Sequence, residues 1–239
     1  MTSRMRQRRE DQLSVEFKII SIGALSHNRL WGETAPVRTA HSTTTLVTDG
    51  ERRILVDPSL PAMALAARFN ERTGRQLAYV TDVFCTSLRP VHRRSIEALA
   101  DARWWCTETE LESYRGHLSS LLDAEGRLGE EESEMVKADM KLLRKFQPAP
   151  EEFGPQTQLY PLAGASHGSA GLLLTPATMT VVIAGDAALT ADHVAAGQIW
   201  QGCADRQAAL RSLEDLLELA DVIVPGHDNM MLSPQRRWM

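Results

Sequence analysis

Residues 160–190 read YPLAGASHGSAGLLLTPATMTVVIAGDAALT, and the fold turns on how they are read. Two apolar runs, Gly171 to Leu174 and Thr180 to Ala184, are short, rich in Leu, Val and Ile, and separated by Thr-Pro-Ala-Thr. Short apolar runs bounded by turn residues predict adjacent buried strands joined by a turn. A small-residue loop, Ala163 to Ala170, precedes the first, and the second runs into Gly185-Asp186. Residues 222–228, VIVPGHD, repeat the design: an apolar strand, then Pro-Gly, then His227 and Asp228. Chemistry concentrates where a rigid scaffold ends in a loop, so Asp186 and His227 are the first candidates.

The chain has 239 residues, which suits one large α/β domain or two small ones, and its 43% hydrophobic and 24% charged content suits a soluble protein with a sizeable core. A net charge of -5 and a pI of about 5.8 argue against a broad nucleic-acid surface. No run approaches the ~18 apolar residues of a membrane span. The basic start, MTSRMRQRRE, lacks a following apolar stretch, so no secretory signal is expected, and residues 1–14 are expected to be a flexible basic arm. Cys85, Cys106 and Cys203 show no paired spacing, which fits buried thiols in a reducing, cytoplasmic setting.

Residues 15–23 predict a first strand, HSTTTLVTDG from His41 a second, and ERRILVDPS its hairpin return, ending on Asp57. Residues 61–72, with Pro at the start and Gly74 beyond the end, predict a helix. LAYVTDVFCT at 77–86 predicts another buried strand, RRSIEALA a helix, and WWCT at 104–107 a short strand. Residues 108–147 are charged, carry Leu and Met at helical spacing, and are broken by Gly126 and Gly129. They predict two amphipathic helices packed on the core or on a second subunit, which would make a homodimer interface; a lid is the sharper alternative. DRQAALRSLEDLLELA at 205–220 predicts an amphipathic helix capped by Asp205. Strands fall in two groups with helices between, so two sheets sandwiched by helices in one domain, 15–239, are expected.

Together these motifs resemble the metallo-β-lactamase superfamily of metal-dependent hydrolases, whose fold is a four-layer αβ/βα sandwich. The resemblance spans about residues 17–228. LVDPS resembles its first motif, with Asp57 as the aspartate behind the ligands. GASHGSAGLLL resembles the GHTPGSxGLL region, IAGDA the strand carrying the metal-bridging aspartate at Asp186, and VIVPGHD the PGH motif with the last histidine ligand at His227.

The second motif departs from the pattern. Where the family has T-H-x-H-x-D-H, this chain has Thr86-Ser87-Leu88-Arg89-Pro90-Val91-His92, and only His92 matches the histidines. Ala165 stands at the GHTPG histidine, with His167 two residues on; a shift of two would restore His167 as a ligand. The resemblance therefore implies a degenerate site. His92, Asp186 and His227 remain, enough for one zinc, iron or manganese ion with open positions. Such an ion would activate a water that Asp186 helps orient, with Asp57 in support. His41 or His167 would complete the coordination.

Arg89 argues the other way. Its guanidinium keeps its charge and occupies a former ligand position, so it would oppose a metal and pair with Asp186. If it replaces the metal, a metal-free pocket remains in which Arg89, Ser87 and His92 bind a small anion, or a surface that binds a protein partner. Arg89 in contact with Asp186 would favour this second reading.

Plainer roles compete at every position. Asp57 before Pro58 can simply cap a turn, His92 can line a helix start, and Asp186 can bond loop amides. His27, His117 and His193 are expected at the surface or in caps, and Trp104 and Trp105 in packing. Ser87 lacks a nucleophile-elbow context, so a serine hydrolase is disfavoured. The expected ligand is a small molecule, with no nucleic acid or membrane; family substrates run from thioesters and lactones to phosphodiesters.

Overall fold

The computed structural model describes residues 14–123 and 129–236. Most of the basic arm, and Gly126 and Leu128 within the predicted helical pair, lie outside these residues. One sheet contains β1 (Glu16–Ser21), β2 (Thr44–Asp49), β3 (Arg52–Val56), β4 (Asp82–Phe84), β5 (Arg103–Cys106) and β6 (Phe146–Pro148), paired in that order. The second contains β7 (Glu152–Gly154), β8 (Thr157–Pro161), β9 (Ala170–Leu174), β10 (Val181–Gly185), β11 (Val222–Pro225) and β12 (Met231–Leu232), ordered β12-β11-β10-β9-β8-β7. The helices are α1 (Ala62–Thr73), α2 (Glu108–Asp123), α3 (Glu130–Leu143), α4 (Ala191–Ala195) and α5 (Arg206–Leu219).

The stretch that opened the sequence reading forms the centre of the second sheet. β9 and β10 pair antiparallel, Val181 opposite Leu174, and β10 pairs parallel with β11. All five residues of β10 are buried, as expected of a strand covered on both faces. Each sheet thus acquires strand ends pointing the same way: β3 and β4 run parallel in the first, β10 and β11 in the second.

Side chains between the sheets make the central core. Val47, Ile54, Val56 and Phe84 meet Phe153, Leu172, Leu174, Val181, Ile183 and Val224. Phe84 and Phe153 meet edge to face with centroids 5.6 Å apart. A second cluster joins the outer face of the first sheet to α1, α2 and α3 through Leu65, Phe69, Leu111, Leu118 and Leu143. A third joins the second sheet to α5 through Ala209, Leu213 and Leu216. Helix, sheet, sheet, helix is the expected sandwich.

Local details differ from the sequence reading. Of residues 77–86 only Asp82–Phe84 is strand, because Leu77–Tyr79 closes a 3-10 turn, with Val80 N bonded to Leu77 O. RRSIEALA is not a helix. It makes a short 3-10 turn at Ile96–Leu99, because Ser95 bonds the Pro58 carbonyl and the Arg93 Nε reaches Leu88 O at 2.5 Å. The edge strands β6, β7 and β12, and β8 beside β7, had too few apolar residues to register as strands. Asp205 does cap α5, accepting from Gln207 N and Ala208 N. The helical pair α2–α3 packs on the first sheet's own core, and Met135 remains exposed. Among the described residues no helix is long and apolar enough to cross a membrane.

Candidate metal centre

Each candidate side chain sits at or just beyond a strand end. Asp57 follows β3 and Asp186 follows β10, while His227 lies two residues past β11. His92 ends a 3-10 turn, Pro90–His92, in the loop after β4. The tips converge, and His92, Asp186 and His227 bring ligand atoms within 4.8 Å of one another, all three residues buried.

Two glycines allow that approach. Gly185 has φ +53, and a Cβ there would lie 2.4 Å from the Thr86 hydroxyl. Gly226 passes so close to Gly185 that its Cβ would lie 2.8 Å from the Gly185 carbonyl oxygen and 2.9 Å from Asp186 Oδ1. Asp57 itself has φ +50, an uncommon conformation for a residue with a side chain. Strain of this kind persists where neighbours over-determine it. Here Asp57 Oδ1 accepts from Thr86 N at 2.9 Å, and Oδ2 accepts from the Thr86 hydroxyl at 2.7 Å.

Asp57 Oδ2 also lies 2.9 Å from His92 Nδ1, so Nδ1 is the protonated nitrogen and Nε2 carries a lone pair. That Nε2 points at Asp186 Oδ2, 2.8 Å away. His227 repeats the arrangement. Its Nδ1 donates to the His41 carbonyl at 3.0 Å, and its Nε2 lies 3.1 Å from Asp186 Oδ1. Asp186 Oδ1 is buried and has no hydrogen-bond partner, the short approach to His227 lacking hydrogen-bond geometry. Burial lowers the pKa of both imidazoles, that of His227 to about 4, so each is a neutral donor ligand at physiological pH. Two imidazole lone pairs and a carboxylate with an orphaned oxygen fit one divalent ion.

Arg89 enters from the other side. Its Nη2 contacts Asp186 Oδ2 and lies 3.4 Å from His92 Nε2. Its guanidinium stacks on Trp200, 3.9 Å from the ring centroid, and its Nε is buried without a partner. Burial lowers its pKa to about 10, which still leaves it charged at neutral pH.

The remaining candidates are elsewhere. The His41 ring faces the carbonyls of Ile22 and Thr39, and only its backbone oxygen supports His227. His167 is exposed, within electrostatic reach of Asp205, and does not join the cluster. Ala165 is buried. Ser87 turns away from the cluster to donate to Glu110 Oε1 at 3.0 Å. His193, expected at the surface or in a cap, is buried in the Thr190 cap of α4, whose side chain accepts from its backbone N–H. Sequence reasoning missed Thr86, Ser42, Glu110 and Trp200. Ser42 Oγ lies 3.0 Å from His92 Nδ1. Trp200, an aromatic in the polar loop after the strand-end aspartate, was the one with a usable signal.

No protein-family profile matches the sequence, and no curated protein matches it. Solved structures do. A metallo-β-lactamase-type protein from Thermotoga maritima is 17% identical with a TM-score of 0.67, covering 92% of this chain and 99% of that one. AidC, a dizinc quorum-quenching lactonase solved with its product N-hexanoyl-L-homoserine, is 15% identical with a TM-score of 0.63, over 90% of this chain and 84% of that one. An N-acyl homoserine lactone hydrolase, with the same product at its catalytic metal centre, is 18% identical with a TM-score of 0.60, over 90% and 93%. With two six-stranded sheets back to back, helices outside, and strand tips meeting at one cluster, this chain has the metallo-β-lactamase fold.

Proposed function

We propose that the protein is a divergent hydrolase of this fold whose centre takes at most one divalent ion, on His92, Asp186 and His227. One observation carries the reading. Asp186 Oδ1 is buried without a hydrogen bond, 3.1 Å from the lone pair of His227 Nε2, and the His227 proton is committed to the His41 carbonyl. Two acceptors face each other, and a cation between them satisfies both. An ion there would supply an activated water and polarise a small substrate. Asp57 would fix the His92 tautomer, and the His41 carbonyl that of His227, as outer partners of metal-bound imidazoles do. By the resemblance, Ser87, Arg89 and Ala165 stand where the family's first metal takes its histidines, which supports a single ion. Lactones are the first substrates to assay.

A second reading has its own support. Arg89 Nη2 contacts Asp186 Oδ2 and approaches His92 Nε2, so a resident guanidinium stands at two of the three ligands. The centre would then be metal-free and non-catalytic, an anion- or partner-binding pocket. Elemental analysis of protein purified without chelator and exposed to zinc, iron(II) or manganese(II) separates the two. One equivalent that disappears in Asp186→Asn supports the hydrolase. Less than a tenth of an equivalent of every metal removes it and leaves the Arg89-closed pocket.

A further inference from the structure

We infer that the chain carries a binding chamber for a small organic anion beside the His92–Asp186–His227 cluster, on the far side of Trp200. A cavity of about 240 Å³ is lined by residues 25–27, Arg29 and Leu30 on one wall and by Leu189, His193 and residues 198–202 on the other. None of its lining residues is a carboxylate, while Arg29, His27 and His193 all face it. The volume lies just below the ~300–1,000 Å³ usual for small-molecule sites, so the ligand is small.

The donors are oriented by their neighbours. Thr190 Oγ1 accepts from the His193 backbone N–H and lies 2.8 Å from His193 Nδ1, a contact that permits the tautomer with the proton on Nε2. His193 Nε2 makes no hydrogen bond to the described residues. Ser26 Oγ meets His27 Nδ1 at 3.1 Å and permits the same tautomer there. Arg29 donates to Gln201 Oε1, which ties the two walls together and turns the Gln201 amide N–H₂ outward. Asp192, the acid adjoining His193, is engaged with Trp31 Nε1 at 2.6 Å. Leu25, Leu30, Leu189, Ile199 and Trp200 supply the apolar part of the wall.

N–H donors and a guanidinium around an apolar-walled space, with the adjoining Asp192 carboxylate engaged by Trp31, select a molecule bearing one carboxylate or phosphate. Charge-assisted hydrogen bonds favour it over a neutral isostere. Trp200 forms the partition, since it lines the chamber and also stacks on Arg89. The chamber's chemistry stands on its own residues whether or not the neighbouring cluster holds an ion.

Titration calorimetry with benzoate, phenyl phosphate, benzyl alcohol and benzylamine, with tryptophan fluorescence recorded alongside, tests the proposal on the intact chain. Benzoate or phenyl phosphate is expected to bind at least tenfold more tightly than benzyl alcohol, with benzylamine weakest. Arg29→Gln, a change at an exposed side chain, should weaken anion binding about fivefold or more, as should His193→Gln. Both variants should keep the wild-type metal content, so a failure here is distinct from a failure of the one-ion reading. Equal binding of the three charge types, no binding at 10 mM, or anion affinity unchanged in both variants overturns the proposal.

Discussion

Gly185 sets the aim of Asp186. Its φ of +53 and the 2.4 Å overlap between a Cβ and the Thr86 hydroxyl act together. Gly185→Ala must strain the backbone and displace the hydroxyl that holds Asp57, so a loss of roughly 2–4 kcal/mol is expected. Gly197 has a similar φ, +62, with nothing within 4 Å of its Cβ, so Gly197→Ala should cost only about 1 kcal/mol. Urea denaturation of the pair checks this; equal losses would mean that the Thr86 contact is unimportant. Arg89 makes the opposite test. Two unit charges ~5 Å apart interact by ~3 kcal/mol at an effective dielectric of 20, more for a divalent ion. In Arg89→Met, zinc affinity measured by competition with a chelating dye should rise at least tenfold. If instead the variant unfolds several kcal/mol more easily and still takes no metal, the guanidinium is the native counter-charge of Asp186. Asp186 and His227 were legible as candidates because Gly-Asp, Pro-Gly-His and the strand before each are local signals, whereas His92 entered only through the resemblance of its loop to a family motif. Thr86, Ser42 and Glu110 were not, because a hydroxyl or acid that braces another side chain has no spacing of its own.

At the level of elements, α2 acts as a latch on the loops around the cluster. Glu110, in its first turn and buried, accepts from Leu88 N at 2.8 Å and from Gly168 N at 3.1 Å, besides Ser87 Oγ. One carboxylate thus ties the loop after β4 to the loop before β9. Glu110→Ala leaves two buried amides unpaired and should cost about 2–4 kcal/mol in urea denaturation. Glu110→Gln retains one acceptor oxygen and should cost less; the reverse order would show that Glu110 is only filling space. The helical pair was legible from its periodicity, but its docking on the first sheet was decided by Leu111, Leu118 and Leu143, which sequence alone could equally have assigned to a second subunit. The short strands were illegible for a related reason. β6 and β8 each end in proline, and β6 is completed by pairing with β5 about 40 residues earlier, so its order is tertiary in origin.

The whole molecule places its chemistry where the two sheets' parallel strand ends meet. Asp57 and His92 belong to the first sheet's tips, and Asp186 and His227 to the second's. An ion held by His92, Asp186 and His227 therefore cross-links the halves of the sandwich, and its binding energy becomes folding energy. A ligand at a hundredfold excess over its Kd adds about 2.7 kcal/mol to stability. For a chain of this size that raises Tm by roughly 5–10 °C. A thermal melt with and without zinc should show this rise, EDTA should reverse it, and Asp186→Asn should abolish it. Arg89 sets what the contrary result means. Its contact with Asp186 already joins the tip of β10 to the loop after β4, so an apo protein indifferent to metal would owe that link to the guanidinium. In that case Arg89→Met alone should lower Tm by a similar amount, and zinc should not restore it. The gross architecture was legible because the central strands, β2, β3, β9, β10 and β11, carry apolar runs near the chain's turn signals. Whether metal or arginine closes the seam was not legible, because both satisfy the same carboxylate, and these melts distinguish them by which one the stability follows.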